Sequence, residues 1–123
     1  MRKFLVSTLV MSTTALSLAG GEFRHIVLFK FKDSATPEEV KAVEKAFAEL
    51  PSKIDTIVDY EWGLSESVEQ KNDGLTHCFL VTFKDKAGLE TYIPHPDHLE
   101  FKKLLGPILE KALVFDYTAK NEK

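Results

Sequence analysis

Between Phe23 and Lys32 the run FRHIVLFKFK carries His25, Val27, Phe29 and Phe31 on one alternating phase and Ile26 and Leu28 on the other. A segment apolar on both phases predicts a strand covered on two sides. The pattern then changes period. In TPEEVKAVEKAFAEL, Val40, Val43, Phe47 and Leu50 recur at helical spacing, Thr36 suits the N-cap, Pro37 the first helical position, and Glu39 closes a capping box. Pro51 is expected to stop this helix. KIDTIVDYEWG reads as a second strand, LSESVEQKNDG as a turn region, and THCFLVTF as a third strand with His77, Phe79, Val81 and Phe83 on one face and Cys78 and Leu80 on the other. Asp85 caps a short helix through Tyr92, Pro94 and Pro96 interrupt it, and a longer helix starts at Pro96 and runs toward Lys111 with a bend at Pro107. ALVFDYT closes the series as a fourth strand.

The order β-α-β-β-α-β predicts an α+β, ferredoxin-like chain: a four-stranded antiparallel sheet with its helices on one face. The opposite face then bares Ile26, Leu28, Leu80 and Phe115. An apolar patch of that kind drives association, so a homodimer is expected, two sheets packing face to face into a barrel with the helices outside.

Residues 1–19, MRKFLVSTLVMSTTALSLA, run from a basic start through a Ser/Thr-diluted apolar stretch to the small-x-small pattern Ser17-Leu18-Ala19. They are read as a signal peptide cut after Ala19, Gly20 or Gly21, giving an exported protein, periplasmic or secreted. The apolar run from Phe4 to Ala19 falls short of the roughly 20 residues that span a bilayer, so no stable membrane anchor is expected. The domain then covers residues 20–118, with a polar tail at 119–123. Without its first 19 residues the chain holds 14 basic and 19 acidic side chains. The basic ones are scattered and form no stripe for phosphates, so nucleic acid is not an expected partner. Cys78, the single cysteine, sits in an apolar run and reads as an inert, buried thiol.

The chemistry gathers in TYIPHPDHLEF, residues 91–101. His98 can take a proton near neutral pH, and the Tyr92 hydroxyl can donate to a developing enolate or alkoxide. His25, early in the first strand, and Asp116, late in the last, meet across the sheet if those strands are antiparallel neighbours. Plainer readings stand beside these. His95 before Pro96 is explained as a helix start, His77 as a satisfied polar residue at a strand edge, and Tyr92 as a core aromatic. His95 and His98 have chelating spacing, yet no carboxylate or cysteine cluster completes a metal set, so no metal and no other cofactor is expected.

RHIVLFKFKD, VDYEWG, THCFLVTF, YIPHPDHLEF and LVFDYT together resemble the stress-responsive dimeric A/B barrel (Dabb) domain family. Among the family's members the chain resembles a plant polyketide cyclase, a similarity that extends without gaps from about Gly21 to Thr118. In that cyclase a histidine and a tyrosine close the ring in a pocket between helices and sheet. The matching positions are His98 and Tyr92, with His25 and Asp116 as supporting partners. The matching pocket wall is Val27, Phe29, Val43, Phe47, Phe79 and Val81. Phe29 and Phe79 stand where that cyclase has smaller aliphatic residues, and Pro94 and Asp97 where it is apolar and small, which implies a narrower cavity. The resemblance implies a homodimer that holds a small apolar or aromatic molecule, with a cofactor-free cyclase or lyase as the alternative. Haem-degrading monooxygenases of the related barrel class are a third reading, for which the sequence offers no haem-sized cleft.

Overall fold

The computed structural model describes residues 21–121; the expected signal peptide lies outside the described residues. Strand β1 (Phe23–Phe31) is followed by α1 (Pro37–Lys53), β2 (Ile57–Leu64), β3 (His77–Phe83), α2 (Lys86–Tyr92), α3 (Pro96–Leu105) and β4 (Leu109–Thr118). The sheet order is β2-β3-β1-β4 and every pairing is antiparallel. This is the α+β, ferredoxin-like arrangement, its second helical crossover divided into α2 and α3.

Local chemistry explains the boundaries, including those that depart from expectation. Thr36 caps α1, its hydroxyl accepting from the Glu39 N–H while the Glu39 carboxylate accepts from the Thr36 N–H. Pro51 does not stop this helix, which continues to Lys53. So near the C-terminus the missing N–H forfeits one bond, and Ile54 N–H still closes on the Leu50 carbonyl. Pro107, conversely, does more than bend α3: the helix ends at Leu105, a single 3-10 turn spans Gly106–Ile108, and β4 begins at Leu109, three residues before the expected start at Ala112. Lys111 is therefore a strand residue, paired with Lys30.

On β1 the odd positions Phe23, His25, Val27 and Phe29 are buried beneath the helices, and the intervening positions are half-buried on the other face. The helix side is filled ring on ring. Phe47 of α1 stacks on Phe79 at 4.3 Å and 7°, meets Phe101 of α3 edge-on at 4.9 Å, and lies 5.5 Å from Tyr60 of β2. Val43, Phe79, Val81 and Phe83 are fully enclosed. The open side is apolar as well: Leu28 lies between Cys78 and Leu113, and Ile26 between Leu80 and Phe115. Phe115 is 65% exposed, and Leu113 and Tyr117 are also exposed.

Candidate functional site

The site is built where α2 gives way to α3. Asp85 caps α2, whose last residue, Tyr92, is 1% exposed, and Ile93 N–H closes the helix on the Leu89 carbonyl. Pro94 and Pro96 flank His95, which is the N-cap of α3: its Nδ1 accepts the Asp97 N–H at 3.1 Å. His95 is thus a helix-start residue, its ring committed to the backbone. One turn on, His98 folds back over Tyr92, ring centroids 4.2 Å apart and inclined by 31°.

His98 Nδ1 stands 2.9 Å from the Ile93 carbonyl oxygen. A carbonyl only accepts, so Nδ1 carries the proton and, in the neutral ring, Nε2 carries the lone pair. Burial pushes the His98 pKa below its ordinary 6.5, with the charges of Lys102, His25 and His95 acting in the same sense and the bond to Ile93 opposing. The Tyr92 hydroxyl is driven the other way, above its ordinary 10.0, by burial first and then by Tyr60. At neutral pH the pair is therefore a neutral imidazole with Nε2 unprotonated beside a protonated phenol, a base next to a hydrogen-bond donor.

His25 enters from β1. It faces Asp116 in the β1–β4 register, its Nδ1 lies 2.6 Å from Asp116 Oδ1, and its ring meets Tyr92 edge-on at 5.7 Å. The four candidates His98, Tyr92, His25 and Asp116 thus form one continuous group, with Asp116 bonded to the His25 ring and His25 packed edge-on against Tyr92. The apolar residues expected as pocket wall, Val27, Phe29, Val43, Phe47, Phe79 and Val81, are buried in one cluster with Tyr92. A cavity of about 570 Å³ opens on the uncovered face of the sheet, and one of about 790 Å³ beside the connection between β2 and β3. The smaller is lined by Leu28, Trp62, Cys78, Leu80 and Leu113, the larger by Phe31, Val40, Leu64 and His77, and neither includes His98 or Tyr92.

His77 differs from its expected edge position. It is buried under α1, with Nε2 donating to Glu44 Oε2 at 2.8 Å, Nδ1 meeting the Thr76 hydroxyl at 2.8 Å, and the Trp62 ring stacked upon it. A buried imidazole with both nitrogens bonded is a satisfied structural group. Sequence patterning did not find Glu44 or Tyr60, both of which reach into the helix–sheet layer, because helix and strand periodicity gives a face and not the reach of a side chain. Cys78 is half-buried on the open face, its thiol pKa raised by burial first and then by Glu61. Among the described residues no three His, Cys, Asp or Glu side chains gather as a metal site.

Residues 23–119 match the model of the stress responsive A/B barrel domain. The chain belongs to that family. It is 37% identical over 99 residues to the stress-response A/B barrel domain-containing protein HS1 of Arabidopsis thaliana, covering 80% of this chain and 91% of that one. It is 34% identical over 95 residues to olivetolic acid cyclase of Cannabis sativa, covering 77% and 94%. Among solved structures, hydroxynitrile lyase from Passiflora edulis superposes with a TM-score of 0.78 at 25% identity, covering 85% of this chain and 98% of that one. A dimeric ferredoxin-like protein of unknown function from Thermobifida fusca superposes with a TM-score of 0.71 at 26% identity, covering 85% and 96%.

Proposed function

We propose that the protein is an exported, homodimeric A/B barrel that binds a small apolar or aromatic molecule between helices and sheet, at His98 and Tyr92. One observation carries this reading: His98 spends Nδ1 on the Ile93 carbonyl and keeps Nε2 for something else, against a buried tyrosine ring. The ligand's apolar body passes the exposed Ile93 and Leu99 and its polar end is directed inward toward Tyr92, whose ring belongs to the buried cluster. Dimerisation rests on the exposed Leu113, Phe115 and Tyr117, with the dimeric neighbour from Thermobifida fusca in support.

The second reading, a cofactor-free cyclase or lyase, is favoured by the protonation states. His98 as general base would take a proton from carbon next to a carbonyl, and Tyr92 would donate to the oxygen on which charge develops. A cyclase and a lyase among the similar proteins support a reaction of this kind. Titrating the protein with a panel of aromatic and β-dicarbonyl compounds, then repeating with His98→Ala and Tyr92→Phe, tests both readings. Saturable binding weakened in both variants supports the site, and turnover abolished in both supports the enzyme. Binding unchanged in both variants overturns the site. Export is tested by sequencing the N-terminus of protein recovered outside the cytoplasm: Gly20, Gly21 or Glu22 is expected first, and an intact Met1 overturns it.

A further inference from the structure

The Tyr60 hydroxyl is buried and has no hydrogen-bond partner, the one buried side-chain polar atom left so among the described residues. Burying such a group without a bond costs free energy, and folded proteins rarely leave one. Its position is well defined. Tyr60 stands opposite Val81 on the helix side of the sheet, and its ring stacks on Phe47 at 5.5 Å and 28°. The hydroxyl therefore projects within the helix–sheet layer, where Tyr60 packs against the buried cluster that includes Tyr92. No hydrogen bond joins it to Glu44, whose carboxylate accepts from His77.

We infer that Tyr60 is a second oxygen-binding residue of the His98–Tyr92 site, so that two phenolic O–H groups converge on one carbonyl or oxyanion oxygen of the ligand. The inference rests on the site proposed above and adds its selectivity: the ligand is an oxygenated molecule, an aromatic or aliphatic ketone, and a hydrocarbon of the same shape is refused. A donor that has no partner in the empty protein gains one when the ligand's oxygen arrives, so the free energy lost on folding is recovered on binding. A neutral oxygen suffices for binding, and an oxygen gaining charge in a proton transfer next to the carbonyl is held more strongly by both hydroxyls.

Tyr60→Phe removes only the hydroxyl. Its melting temperature is expected to equal or exceed that of the unaltered protein, because an unpaired buried group has been deleted. Its affinity for 1-phenylbutane-1,3-dione, measured by calorimetry, is expected to fall roughly tenfold, the worth of one well-placed hydrogen bond. Affinity for butylbenzene, the same skeleton without oxygen, is expected to be weak and unchanged. A melting temperature several degrees lower, or discrimination between the two compounds unchanged by Tyr60→Phe, overturns the assignment. If His98→Ala and Tyr92→Phe weaken binding of the diketone while Tyr60→Phe does not, Tyr60 alone is excluded. If the unaltered protein fails to bind the diketone, the parent site falls and Tyr60 with it.

Discussion

At the scale of single residues, protonation decides what the site can do. Neutral His98 exists above its own pKa, which burial holds below 6.5, so base activity persists as pH falls past 6.5 and is lost only below it. Exchange of acetophenone methyl protons with deuterated solvent, followed by NMR, is expected to level off above pH 6.5 and to decline on the acid side with a midpoint under that value. A midpoint above 6.5 contradicts the assignment. The same shift bears on stability: the unfolded chain takes up the His98 proton near 6.5, the folded one only at lower pH, so acidification through this window favours unfolding. Thermal melts between pH 7 and 5 should lose less for His98→Gln than for the unaltered protein. His98 and Tyr92 were legible from the spacing in TYIPHPDHLEF and from family resemblance. Tyr60 was not, because the polar and charged neighbours along VDYEWG hide which phase of the strand faces the helices.

At the scale of elements, the pairing of β1 with β4 ties the supporting half of the site to the sheet. Asp116→Ala removes the acceptor of the 2.6 Å bond from His25, a charge-assisted contact two-thirds shielded from solvent. A loss of about 1–2 kcal/mol in urea unfolding is expected, and no loss would mean that the carboxylate does not hold the ring. Thr36→Ala, distant from the site, is expected to cost about 1 kcal/mol through the α1 capping box while leaving ligand affinity unchanged. The strands and the cap were legible because each has a strict local signature, and the His25–Asp116 contact followed from antiparallel neighbours that bring the start of β1 beside the end of β4. Helix ends were less legible. Pro51 and Pro107 have the same local effect on the backbone, yet tertiary packing carries α1 through the first and lets β4 begin right after the second.

At the scale of the whole molecule, one face of the sheet is closed by helices and the other waits for cover. Phe115→Glu places a charge at the most exposed large aromatic of that open face, between neighbours Ile26 and Tyr117. Sedimentation is expected to show a dimer for the unaltered protein at micromolar concentration and a monomer for the variant, whereas a monomer in both removes the barrel. That both faces of the sheet are apolar was legible in a first strand apolar on both phases. The packed interior was not: strand alternation marks Phe29 and Phe79, and helical spacing Phe47, as inward-facing, but only three-dimensional packing brings their rings into one buried cluster. The claim on which function depends is that ligand meets the free nitrogen of His98. Nitrogen-15 NMR of the imidazoles, during titration of the intact protein with 1-phenylbutane-1,3-dione, examines it directly. The predicted result is a free-state His98 protonated at Nδ1 alone, whose Nε2 resonance moves saturably with ligand while those of His77 stay fixed; a His98 protonated at Nε2, or one unmoved at saturation, would contradict it.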